Sequence, residues 1–175
     1  MPTQRTIDFA ALSLRDALDL AVLVEEEAKD RYEEFADQMR AHHNPEAASF
    51  FEFMRGNEEK HEAELASRRA SLFGKEPSRM RREMIFDVEA PDYDEARGSM
   101  SPLDAYSAAL RSEVKAHDFF VAALAGIADP AVRALFEELR DEETMHQRLV
   151  REQIERLEPE SPLRPEDVED DPVAQ

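Results

Sequence analysis

The sequence predicts an all-α fold: an antiparallel four-helix bundle of two helical hairpins joined by one long crossover. Three observations carry this expectation. Apolar residues recur at alternating spacings of three and four through four separate segments, which is the period of a helix face turned toward a core. Glycine is scarce, at four of 175 residues, and no stretch sustains the period-two alternation of a strand. Three of the four segments open on a capping residue followed by proline, the pair that a helix start favours.

The first helix is capped by Ser13 and runs to about His42, with a stripe of Leu18, Ala21, Glu25, Ala28, Tyr32, Phe35 and Met39. Asn44 and Pro45 open the second, which ends near Gly74 and carries Phe51, Met54, Glu58, His61 and Leu65, with Leu72 two turns further on. Ser101 and Pro102 open the third, whose stripe is Leu103, Tyr106, Leu110, Glu113, then Ala116 or His117, Phe120 and Leu124, closing near Gly126. Asp129 and Pro130 open the fourth, with Val132, Phe136, Leu139, Glu143, His146, Val150, Ile154 and Leu157, and it must stop before Pro159.

Only a few residues separate helices one and two, and likewise three and four, so each pair folds back as a hairpin. Between helices two and three, Lys75 to Met100 is long enough in extended form to cross a bundle of about 45 Å. That crossover mixes Arg79, Arg81 and Arg82 with Met80, Met84, Ile85 and Phe86, and is expected to pack a few apolar side chains without chemistry of its own. The domain reading is therefore a lead at 1–12, a four-helix domain at 13–158 with the crossover at 75–100, and an acidic tail at 159–175. Four prolines in that tail mark it as a disordered or linker segment.

Composition excludes several function classes. A formal charge of −19 opposes nucleic acid and anionic membrane surfaces and suits attraction of metal cations. Met1 to Ala10 lack the basic start and apolar core of a signal peptide, and no apolar run approaches the roughly 20 residues that span a bilayer. A soluble cytoplasmic protein is expected. With no cysteine, the chain holds no disulfide, thiolate nucleophile, iron–sulfur cluster or Cys₄ site, so any electrons must come from an external donor.

The stripes contain an anomaly. Glu25, Glu58, Glu113 and Glu143 each interrupt an apolar face, one per helix, and Glu58 and Glu143 are each followed three residues later by a histidine, His61 and His146. Ionised carboxylates in an interior cost several kcal/mol each and converging ones also repel. Two divalent cations would balance the four charges, and the mixed oxygen and nitrogen donors suit iron or manganese better than calcium or magnesium.

Glutamate is abundant, so the Glu-x-x-His spacing alone is weak, and glutamates on charged helix surfaces are the competing explanation. An internal repeat strengthens the metal reading: a shift of 85 residues lays Phe51, Arg55, Glu58 and His61 on Phe136, Arg140, Glu143 and His146. Glu25 and Glu113 each also lie seven residues before an aromatic, Tyr32 and Phe120. Within each hairpin the candidate ligands fall at comparable distances from the turn, which brings all six near mid-bundle. Tyr32 shares the face of Glu25 and is placed either to donate its hydroxyl to a ligand carboxylate or to serve as a core aromatic. His117 reads either as a further ligand or donor, or as a histidine at the stripe's edge meeting water or an acid. His42 and His43 read as surface residues complementing a helix C-terminus.

Through EEEAKDRYEEFA in the first helix, NEEKH in the second, SEVKAHDFF in the third and DEETMH in the fourth, the chain resembles the ferritin-like superfamily, and within it the rubrerythrin-type diiron proteins. The resemblance spans Ser13 to about Leu157. It implies two iron ions per chain, with manganese possible: Glu58 and Glu143 bridging, Glu25 and Glu113 terminal, and His61 and His146 each binding one metal. It also implies a homodimer or larger homo-oligomer. Classical ferritin subunits are less similar, since they lack the second Glu-x-x-His. Peroxide-reducing rubrerythrins carry an extra carboxylate one turn beyond the third-helix ligand, here Ala116, and a cysteine-ligated rubredoxin domain absent from this chain. These departures favour oxidation of Fe²⁺ by O₂ or peroxide, for iron detoxification or storage, over peroxide reduction with an external donor. Competing expectations are a diiron hydroxylase, an iron carrier without turnover and, less so, a di-manganese catalase-like activity.

Overall fold

The computed structural model describes residues 7–85, 88 and 100–157. Within them are four long helices, α1 (Leu14–Ala41), α2 (Pro45–Phe73), α3 (Pro102–Leu124) and α4 (Pro130–Leu157), with short 3₁₀ turns at Phe9–Ala11 and Arg82–Met84. No strand occurs among the described residues. The expected tail, 159–175, and most of the crossover between Phe86 and Ser99 lie outside them.

The helix starts are built by the caps read from the sequence. Ser13 accepts from Asp16 N–H, and Asn44 from Ala47 N–H. Ser101 and Asp104 form a reciprocal capping box, while Asp129 accepts from Ala131 and Val132 N–H. Each such cap satisfies donors the first turn leaves open, a contribution of about 1 kcal/mol. Gly74, at φ 57°, ends α2 in a conformation costly for other residues. His43 takes φ 57° in the three-residue turn between α1 and α2.

α1 packs along α2, and α3 along α4, as two hairpins that meet through α2 with α3 and α1 with α4. Their interior divides into two apolar clusters. One gathers Leu18, Leu65, Ile85, Phe120, Leu135 and Phe136 at the end where α1 and α4 begin and α2 and α3 finish. The other gathers Tyr32, Phe35, Met39, Phe51, Met100 and Tyr106 at the opposite end. Ile85 belongs to the first and Met100 to the second, so the residues that leave α2 and those that lead into α3 sit at opposite ends of the bundle. The lead into α3 is fixed by Asn44, whose Nδ2 donates to the Met100 carbonyl at 2.5 Å. The exit from α2 is fixed by Arg69, which donates to Asp19 at 2.6 Å and to the carbonyls of Gly74 and Glu76.

Residues ahead of α1 also build the core. Leu12 is buried, and Phe9 makes edge contacts with Phe119 and Phe136 at centroid separations of 5.9 and 6.1 Å. Conversely, three leucines expected in the stripes are exposed: Leu72 at 55%, Leu103 at 49% and Leu157 at 38%. All three occupy terminal turns of their helices, where the periodic face runs past the neighbours that would cover it. α1 also buries more charge than its single striped glutamate, since Asp16, Asp19, Glu27 and Arg31 are buried as well. No helix of the described residues is long and apolar enough to cross a membrane.

Candidate metal centre

Between the two apolar clusters lies a layer of acids and imidazoles. Glu25, Glu58, Glu113 and Glu143 are at most 1% exposed and His146 is 5% exposed, while His61 is half-buried. All four helices place a carboxylate there because each glutamate takes a position on the buried face of its helix. The six side chains singled out from the sequence are therefore brought to one level of the bundle.

Their donor atoms fall into close groups: Glu58 with His61 and His146, and Glu113 with Glu143 and His146, with one ligand atom of each residue within 4.8 Å of the others. His146 Nδ1 lies 3.1 Å from Glu113 Oε2 and 3.9 Å from oxygens of Glu58 and Glu143. The His61 and His146 rings stack at a centroid separation of 4.9 Å and 11°. Tyr32 donates its hydroxyl to Glu113 Oε1 at 2.7 Å, and Gln147 donates to the Glu113 carbonyl. Glu113 is thus held from α1 through Tyr32 and from α4 through His146.

The electrostatics of the layer follow from burial. Desolvation pushes Glu25 up to about 8, partly opposed by its hydrogen bond with Glu58 and by the His146 charge. Burial lowers His61, as does the neighbouring His146. Burial also acts to lower His146, but the Glu113 hydrogen bond and the surrounding carboxylates outweigh it and raise this histidine. Glu25 Oε2 is buried with no hydrogen-bond partner, 3.9 Å from His61 Nδ1. Such an orphaned carboxylate oxygen among further acids and imidazoles fits a divalent cation, which would supply the charge and coordination the protein atoms do not.

Glu142 was not among the sequence candidates. It groups with Glu25 and His61 by the same 4.8 Å measure, is half-buried, and is raised first by desolvation and then by Glu138. The signal was its adjacency to Glu143, which a stripe count discards because consecutive helical residues point about 100° apart. A cleft of about 570 Å³ opens between α2 and α4 onto His61 and His146, with Asn57, Lys60, Glu142 and Met145 among its walls. Below it Arg68 bridges the two helices to Glu138 at 2.8 Å. His117 stands apart: its Nδ1 faces Asp118 at 3.2 Å, and it belongs to none of the close groups among the described residues.

Comparison with known proteins agrees with this architecture. Residues 16–96 match the family model described as Rubrerythrin. Among solved structures, the chain is similar to an uncharacterized conserved protein from Magnetospirillum magnetotacticum MS-1, with 29% identity and a TM-score of 0.65 over 86% of this chain and 99% of that one. No functionally curated protein matches the chain. The four-helix architecture, the match through α1 and α2 and this structural likeness support a ferritin-like, rubrerythrin-type family for the chain.

Proposed function

We infer that the protein is a non-haem diiron oxidase that binds Fe²⁺ and passes its electrons to O₂ or peroxide, in iron detoxification or storage. The observation that carries this reading is the layer of four buried glutamates, with His61 and His146, in the middle of an otherwise apolar bundle. Glu25, Glu58, His61, Glu113, Glu143 and His146 would hold two metal ions. Iron bound there would supply the one-electron redox chemistry.

The protein's own contribution is charge, order and exclusion of water. Four carboxylates would balance two divalent ions, so bound metal would offset the mutual repulsion of these buried charges. Tyr32 fixes one oxygen of Glu113, and such a bond to a ligand orients it and tunes its basicity. Apolar clusters above and below confine access to the α2–α4 cleft, where Glu138, Asp141 and Glu142 favour an incoming cation.

An anaerobic Fe²⁺ titration followed by O₂ tests the reading. Saturation near two Fe²⁺ per chain, O₂ consumption and a ferric near-ultraviolet band are expected, with Glu58→Ala abolishing both uptake and oxidation. Oxidation by Glu58→Ala at the wild-type rate would overturn it. Binding with no O₂ consumption would instead identify a carrier or an enzyme that uses peroxide. The cleft favours one second reading, oxidation of a small organic molecule beside His61, which would show as a product formed in proportion to O₂ consumed.

A further inference from the structure

We propose that Glu142 is an additional metal ligand, which with Glu25 and His61 forms an entry position for a divalent cation at the solvent edge of the centre. The proposal rests on the metal reading above and extends it to a residue outside the six ligands.

One donor atom each of Glu25, His61 and Glu142 lies within 4.8 Å of the other two, a spacing that a single ion can span. Glu25 Oε2 is the inner member: it is buried, accepts no hydrogen bond and lies 3.9 Å from His61 Nδ1. Glu142 is the outer member. It lines the cleft of about 570 Å³ and also the smaller pocket of about 50 Å³ that it shares with His61 and Arg68, so its carboxylate borders solvent while its neighbours reach inward.

Helix geometry explains why consecutive glutamates divide the work. Glu143 points into the buried layer, and Glu142, about 100° around α4, faces the groove between α2 and α4. A hydrated cation entering the cleft would exchange water for the Glu142 carboxylate first, then for His61 and Glu25. The two halves of the centre consequently differ: the group of Glu25 and His61 includes a donor at the cleft, Glu142, whereas the group of Glu113, Glu143 and His146 is buried throughout. Stepwise rather than simultaneous filling follows.

Cobalt(II) tests this without any turnover. The full chain, stripped of metal, is titrated with Co²⁺ and followed by calorimetry and visible absorption. Wild type should fill in two steps. Glu142→Gln should weaken one step about tenfold or more and leave the other unchanged, and Glu142→Asp, which keeps the charge but shortens the reach, should weaken the same step. Glu138→Gln removes an equal charge from the same cleft and should weaken both steps only slightly and alike, as the loss of a nearby charge that is not a ligand does. A Glu142→Gln curve superimposable on wild type would overturn the ligand assignment while leaving the two-metal reading intact. So would equal weakening by Glu138→Gln, which would reduce the effect to net charge. Failure of wild type to bind Co²⁺ at all would overturn both readings.

Discussion

Raising the pH should destabilise the metal-free protein and strengthen its response to metal. Burial holds Glu25 near 8, against an ordinary value of 4.5. Between those values the folded chain carries a proton at Glu25 that the unfolded chain has released, so stability falls as pH rises, by about 1.4 kcal/mol per pH unit. From pH 5 to 7 this is roughly 3 kcal/mol, or about 6–12 °C in melting temperature for a domain of this size. Glu142, also raised by burial, acts in the same sense, and so does His146, whose charged form the fold favours. His61 opposes them, because a histidine lowered by burial adds stability as pH rises from its lowered value toward the ordinary 6.5.

A bound cation reverses the balance. It needs ionised carboxylates and neutral imidazoles, so its affinity grows with pH over the range in which the empty layer becomes most costly. Thermal melts from pH 5 to 8, with chelator and with Co²⁺, should therefore show two diverging curves, the metal-free one falling and the gap widening. General repulsion in a chain of charge −19 would also lower the metal-free curve. Glu25→Gln separates the two, since removing this titration should flatten the slope while leaving surface charge almost unchanged. The reasoning fails if the metal-free melting temperature is flat or rises between pH 5 and 7, or if Co²⁺ raises it equally at both.

Three further outcomes are expected. Tyr32→Phe conserves volume but removes the hydroxyl donated to Glu113, so the metal-free protein should lose about 1.5–3 kcal/mol and metal affinity about tenfold, read by denaturant unfolding and Co²⁺ titration. Phe136→Ala empties a fully buried position against Phe9 and Phe120 and should cost about 3–5 kcal/mol in urea unfolding, with Co²⁺ stoichiometry kept where the variant folds. Ser101→Ala breaks the capping box of α3 and should cost about 1 kcal/mol, a loss that thermal melts resolve and that leaves metal binding unchanged.

The helices were legible because their boundaries are written in local chemistry. Ser13, Asn44, Ser101 and Gly74 act in the structure where their residue types place them in the sequence, and each works through atoms of its own turn. The glutamate layer was legible for a different reason: a charge at a stripe position is an exception to the period that defines the stripe. What escaped depends on neighbours remote in sequence. Leu72 and Leu103 fit the period yet are exposed, because a stripe does not say where its covering partner ends. Phe9 reaches Phe136 only once α4 is in place, and Glu142 gains its meaning from His61 on another helix.

The position of the layer explains why such a costly arrangement persists. A bundle with apolar side chains throughout would gain stability at the level of Glu25, Glu58, Glu113 and Glu143, since replacing buried ionic groups with packed hydrophobes is often stabilising. Here the apolar clusters on either side supply that stability separately: Tyr32, Phe35 and Phe51 toward one end and Leu135, Phe136 and Phe120 toward the other are all nearly or fully buried. The carboxylates can then be held close together without the fold depending on them. Such holding is what a metal centre needs, because ligands fixed in advance lose little freedom when the ion arrives. The division also predicts where variation is tolerated. Substitutions in the layer should alter metal binding with modest loss of fold, and substitutions in either cluster should do the reverse. A Glu143→Gln protein that melts higher without metal than wild type, yet responds less to Co²⁺, would display that separation directly; one that fails to fold would show that the layer is structural after all.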